Sequence, residues 1–223
     1  MNDNYYRNKD AGKPDPGRFA NRPREQADTH LHLLLSRQDI LDGLSDLVSR
    51  LRGNGTHARI QIVGGAALLL SYFDRRLTVD IDGPLDPAEE ITSLAKEIAE
   101  DRNWSDDWIN DSAKIFLPNG YGRKSAQWTT IFDADDVVIQ VATAETLLAM
   151  KLDSAQRRGD RELDDITKLL AILNIDTADE AEGIYSEYYP GMDFTPRTLA
   201  IVEHAIENPP DTIQQPSPPT IDK

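Results

Sequence analysis

The sequence predicts a mixed α/β fold of the α+β kind, with a small mixed sheet flanked by helices and a helical C-terminal part. Three observations carry this. Segments with apolar residues at helical spacing alternate with short runs rich in Ile and Val. One of those runs passes through a Gly-Gly pair directly into an unbroken apolar stretch. After Thr143 helical stripes follow one another with no further strand pattern.

The elements follow in order. Gln38 to Leu51 places Ile40, Leu41, Leu44, Leu47, Val48 and Leu51 on one helical face, with Ser36 as candidate N-cap. Gly53-Asn54-Gly55 ends it. Ala58 to Val63 is a short strand. Gly64-Gly65 and the run Ala66 to Phe73 follow as a buried helix. Leu77 to Ile81 is a second strand. Pro87 to Asp101 is a helix with Asp86 as cap and Pro87 at its first position. Trp104 to Pro118 has no period. A Trp in such a stretch is expected to anchor it by packing, with Asn110 or Asp111 forming a turn. Trp128 to Phe132 and Val137 to Ala142 are strands joined by Asp133-Ala134-Asp135-Asp136, a hairpin turn. Thr143 caps a helix carrying Leu147, Leu148, Lys151 and Leu152, broken at Arg157 to Asp160. Glu162 to Leu173 is the next, with a stripe of Leu163, Ile166, Leu169, Leu170 and Leu173. One or two short helices complete the chain to Ile206.

The 223 residues divide into three parts. Residues 1–28 are rich in Asn, Asp, Gly, Pro and Arg without hydrophobic period, and read as a disordered tail. Residues 29–206 form one domain. Residues 207–223, containing PPDTIQQPSPP, read as a disordered, extended Pro-rich tail. The absence of cysteine excludes disulfides, thiolate catalysis and cysteine-ligated zinc. No apolar run approaches the roughly 20 residues of a membrane span, and the N-terminus lacks a secretory pattern, so a cytoplasmic location is expected. The formal charge is −15. Such a field repels polyanions over about 8 Å at physiological salt, which argues against extended DNA binding but leaves room for a small basic pocket.

The chemistry concentrates in Ile62-Val63-Gly64-Gly65 and Arg76-Leu77-Thr78-Val79-Asp80-Ile81-Asp82. Glycines at a helix start let a phosphate approach backbone N–H groups that already favour an anion. Carboxylates at i and i+2 of a strand leave the same face. Paired oxygen donors suit Mg²⁺, which binds one or two carboxylates plus substrate phosphates. His30 and His32 lack the further ligands that zinc would need. Arg157, Arg158, Arg161 and Lys168 could form a basic patch near Lys151, the expected place for any RNA contact.

The pattern of an apolar residue, Gly-Gly, a spacer, then R-x-T-x-D-x-D resembles the DNA polymerase β-type nucleotidyltransferase superfamily. Trp108-Ile109-Asn110-Asp111 with Phe116-Leu117-Pro118, Thr143 to Lys151, and Arg161 to Ile166 extend the resemblance to bacterial nucleotidyltransferases of the AbiEii and MenT toxin type. It covers Gln38 to Leu173. The resemblance implies a minimal nucleotidyltransferase fold. It implies a nucleotide-binding set in which Gly64 and Gly65 hold the triphosphate and Arg76 and Thr78 line or brace the metal strand; it implies that Asp80 and Asp82 hold Mg²⁺, that Lys151 meets phosphate and that Asp165 acts beside it. It implies transfer of a nucleoside monophosphate to a hydroxyl, with tRNA or protein as acceptor and a cognate antitoxin as partner. Two features depart from the superfamily. The strand Val137 to Ala142 contains no third metal-binding acid, only Gln140, with Asp136 at its edge. Glu162 stands where the pattern has Asp. Two alternatives remain open: a small-molecule nucleotidyltransferase of the antibiotic-modifying kind, and a non-enzymatic binding protein of the same fold.

Overall fold

In a computed structural model the structure describes residues 34–75, 77–118 and 123–222. The N-terminal tail, His30, His32 and Arg76 lie outside the described residues.

Helix α1 (Arg37–Gly53) starts on a capping box: Ser36 Oγ accepts from the Asp39 N–H, and Asp39 accepts from the Ser36 N–H at 2.8 Å. Its apolar stripe is fully buried. Strand β1 (Ala58–Ile62) enters α2 (Gly64–Ser71), whose leucines are buried on all sides. Then come β2 (Ile81–Asp82), β3 (Leu85–Asp86), α3 (Ala88–Arg102) and β4 (Ile109–Asn110). A 3-10 turn at Ser112–Phe116 leads toward the hairpin β5 (Trp128–Ala134) and β6 (Val137–Ala142). Helix α4 (Ala144–Arg158) starts on a Thr143 cap, and a 3-10 turn joins it to α5 (Leu163–Leu173). Helices α6 (Ala178–Tyr188) and α7 (Pro196–Glu207) close the domain. The main sheet has the order β3-β1-β6-β5, parallel between β1 and β6 and antiparallel elsewhere. This is the expected mixed fold with a four-stranded sheet.

Three expectations change. The strand foreseen at Leu77 to Ile81 is shifted: Thr78 makes one bridge, to Leu35, and regular pairing begins at Ile81, beside Ile109. Leu77 and Val79 are therefore exposed, and Asp80 precedes the strand while Asp82 lies in it. Asp86 does not cap α3, because it is paired in β3 opposite Arg59; Pro87 takes the cap position in extended conformation. The Pro-rich segment after Glu207 is extended but laid along the body. Gln214 accepts from the Asp74 N–H at 3.0 Å, Ser217 accepts from Arg37 at 2.6 Å, and Ile221 is buried in the core. Ile221, two residues past the last proline, gives that segment an apolar anchor that its composition conceals.

What positions the acidic segment is backbone contact with β1. The Val63 N–H donates to Asp82 at 2.8 Å, and the Gln61 N–H donates to Pro84 at 2.9 Å. Gly83 is pressed against β1 so closely that a Cβ there would lie 1.8 Å from the Gln61 carbonyl oxygen. Trp108 supplies the outer support. It is buried, donates from Nε1 to the Ala95 carbonyl at 2.8 Å, and its ring leaves no room for a Cβ on Gly43. Its anchoring role is the expected one. Gly83→Ala must push the segment off β1, and should cost at least about 2 kcal/mol, lowering the melting temperature by roughly 4–8 °C. An unchanged melting temperature would contradict this account of the contact.

Candidate active site

The C-terminal end of β1, the start of α2, the β2 segment and one face of α4 surround a cavity of about 420 Å³. Gly64, Asp80, Asp82 and Lys151 all line it. The helical period of α4 explains its wall: Leu147, Met150, Lys151, Ser154, Arg157 and Arg158 fall on one face. That face runs from apolar near β1 to cationic at the helix end.

Of the residues singled out from sequence, Gly64 stands at the mouth of the β1–α2 turn with φ +65°, and a Cβ there would meet nothing within 4 Å. Gly65 does not line the cavity. A Cβ on it would come 2.8 Å from Thr78 Oγ1 and 3.1 Å from an Arg75 guanidinium nitrogen, so packing is what demands the missing side chain. Thr78 is buried behind the site, bonded through its backbone to Leu35. Arg75, the residue before Arg76, contacts Asp165 at 2.9 Å; Arg76 lies outside the described residues.

Lys151 is held by two carboxylates, Glu162 Oε2 at 2.6 Å and Asp165 Oδ2 at 2.8 Å. Ser154 Oγ donates to the other Glu162 oxygen at 3.1 Å. Glu162 and Asp165 are both nearly fully buried, and together with Lys151 and Arg75 they form a charge-balanced set. Burying such ions is tolerable only when each is paired. Asp165 does not line the cavity; its contact with the cavity wall is through Lys151.

The other wall comes from a segment 25 or more residues after Asp82 that has no hydrophobic period. Asn110 Nδ2 donates to Asp80 at 3.3 Å, and Asn110 Oδ1 accepts from the Ser112 N–H at 2.9 Å, which fixes the amide's orientation. Asp107 also lines the cavity and bonds to the Ser105 hydroxyl. The signal for these residues was the polar sequence flanking Trp108: once that ring is buried, its neighbours are forced to the cavity side. Neither candidate for a third acid on β6 reaches the site. Gln140 is bonded to Gln61 and Thr130, and Asp136 lies at the hairpin beside His57. The foreseen basic patch divides: Arg157 and Arg158 face the cavity, while Arg161 and Lys168 line a separate hollow with Arg75.

Burial pushes the Asp82 carboxyl above its ordinary value; the Asn110 amide and the Arg158 charge oppose the shift, and Asp107 adds to it. A carboxylate strained in this way is common at functional sites. The donor set fits Mg²⁺ arriving with a phosphate ligand: Asp80 and Asp82 offer oxygens to one cavity, and among the described residues no group of three acidic, His or Cys side chains forms a complete metal cage.

Because the folded-state pKa of Asp82 is raised, the native protein holds its proton to higher pH than the unfolded chain does. The stability cost is thus absent in acid and grows as pH rises through the window above the ordinary carboxylate value. In metal-free protein, Asp82→Asn should melt higher than wild type near neutral pH, and the gain should fade toward about pH 4. The exposed neighbour variant Asp106→Asn controls for loss of one negative charge. A lower melting point for Asp82→Asn at neutral pH would contradict the burial argument.

Residues 39–188 match the sequence model of a family described as nucleotidyltransferase of unknown function, DUF6036. No curated protein and no solved structure gives a significant match to the chain. The matched span runs from the first turn of α1 to the end of α6 and takes in every residue of the cavity wall. It is well over half of the sequence, and on that ground the chain belongs to this nucleotidyltransferase family.

Proposed function

We propose that the protein is a Mg²⁺-dependent nucleotidyltransferase that moves a nucleoside monophosphate from an NTP to a hydroxyl acceptor. The observation that carries the reading is the convergence of Asp80, Asp82, Gly64 and Lys151 on one cavity large enough for a nucleotide. Family membership supports the same reading. Mg²⁺ held by Asp80 and Asp82 together with substrate phosphates would neutralise triphosphate charge as the bond to the leaving group weakens.

The chain's own residues do the remainder. The start of α2 presents backbone N–H groups, with no side chain on Gly64 to bar the approach of a phosphate. Lys151 offers its ammonium from the opposite wall, aimed by Glu162 and Asp165. Such transfer depends on positioning and charge stabilisation more than on covalent catalysis. Asn110 orients the Asp80 carboxylate. Asp80, Asp82 or Asp107 could accept the hydroxyl proton, and all of them face the cavity.

The finer reading is that of a toxin of a toxin–antitoxin pair. It would act in the cytoplasm, where NTPs and Mg²⁺ are plentiful, on tRNA or protein, and a cognate antitoxin would hold it in check. The resemblance of the motifs between Gly64 and Ile166 supports it. Among the described residues no helix is long and apolar enough to cross a membrane. A second reading, nucleotide binding without transfer, is favoured by one observation: the β6 position of a third acid holds Gln140, whose amide is already engaged.

Replacing Asp80 or Asp82 by Asn should lower label transfer from α-labelled NTP by at least about 100-fold, equivalent to ~2.7 kcal/mol of transition-state stabilisation. The variants should keep wild-type circular dichroism. Full transfer by the double variant would remove these residues from the site. NTP binding without transfer by the wild-type protein, to RNA, protein or an aminoglycoside, would favour the second reading.

A further inference from the structure

One buried charge is not used by the mechanism above. Asp153 lies on α4, two residues past Lys151, and is 7% exposed. A carboxylate in that position must be paired to be tolerated. Its partners are Arg157 Nη1 at 2.5 Å and the Tyr185 hydroxyl, which donates at 3.3 Å. The pair fixes a guanidinium whose carbon lies 5.0 Å from the centre of the Phe116 ring.

Phe116 is held from its own side. The Tyr189 hydroxyl donates to the Phe116 carbonyl at 2.8 Å, and the Tyr185 and Tyr189 rings are 5.3 Å apart. Tyr185 of α6 thus braces the cation through Asp153, and Tyr189, which ends that helix, holds the backbone of the aromatic residue. Yet Phe116 remains 45% exposed, and both Phe116 and Arg157 line the cavity that contains Asp82 and Lys151. A large aromatic face, fixed at the rim of a cavity and left half open to it, is suited to a planar ligand.

We propose that Phe116, backed by Arg157, is the nucleobase platform of this site. The inference rests on the nucleotide reading given above and adds to it where the base lies. The triphosphate occupies the end with Gly64 and Lys151, and the base stacks on Phe116. Asp153, Tyr185 and Tyr189 are positioning residues for that platform. Stacking on a phenyl ring tolerates every base, so the platform supplies affinity for nucleotides over bare polyphosphate rather than choice among bases.

The test is calorimetry of the full chain with Mg²⁺ and either each of the four NTPs or inorganic tripolyphosphate. Wild type should bind NTPs more tightly than tripolyphosphate. Phe116→Ala should weaken NTP binding about tenfold, or ~1.4 kcal/mol, and leave tripolyphosphate binding unchanged. Phe116→Trp should restore NTP affinity. Unchanged NTP affinity in Phe116→Ala, or an equal loss for both ligands, would overturn the platform while leaving the phosphate site standing. Failure of wild type to bind either ligand would overturn the nucleotide reading and the platform with it.

Discussion

The site depends on the pairing of Val63 with Asp82 across the end of β1. That backbone contact joins the β1–α2 turn to the acidic segment, although some 18 residues separate them in the chain. Neither piece is useful alone. A Gly-Gly turn without acids is a tight turn, and an acidic pair without a phosphate-accepting backbone is a solvated surface. The contact forms because Gly83 lets the chain lie against the Gln61 carbonyl, closer than any side chain would permit. Strand β2 then pairs with β4, and that second pairing brings Asn110 and Asp107 to the same cavity. The buried Trp108 ring holds β4 in place from behind.

Electrostatics around the cavity run against the character of the chain. The protein carries −15 overall, yet α4 brings Lys151, Arg157 and Arg158 to one wall. Each cation is managed differently. Lys151 lies between Glu162 and Asp165, and Arg157 is tied to Asp153. Arg158 makes no ion pair among the described residues, and its charge is felt at Asp82. Fixed, paired cations cost little reorganisation when an anion enters, which is how preorganised sites stabilise developing charge. The net negative charge discourages long polyanions at a distance, whereas the cavity wall on α4 is locally cationic.

Much of this was legible in the sequence. Helical spacing located α1, α4 and α5, because a buried stripe must repeat every three to four residues, and the β5–β6 hairpin was marked by its acidic turn. Asp80, Asp82, Gly64 and Lys151 were singled out by motif, and they share the cavity. What could not be read depends on contacts distant in sequence. Leu77 to Ile81 reads as one strand, but tertiary pairing is available only at Thr78 and from Ile81 on. Arg75 meets Asp165 across some 90 residues of chain, a contact no local pattern announces. Asp107 and Phe116 lie in a stretch with no period, and only the burial of Trp108 and the hydroxyl of Tyr189 bring them to the site. The C-terminal segment carries its anchoring isoleucine inside a composition typical of loose tails.

The central claim is that this cavity transfers a nucleotidyl group. The most direct measurement follows the two ends of one NTP in parallel, with label at the α-phosphorus in one reaction and at the γ-phosphorus in the other, in the presence of Mg²⁺ and total RNA, protein and small-molecule acceptors. The account predicts that α-label enters an acceptor while γ-label appears as pyrophosphate in equal amount. Incorporation of γ-label, or release of inorganic phosphate in place of pyrophosphate, would show a phosphoryl transferase or a hydrolase and contradict it.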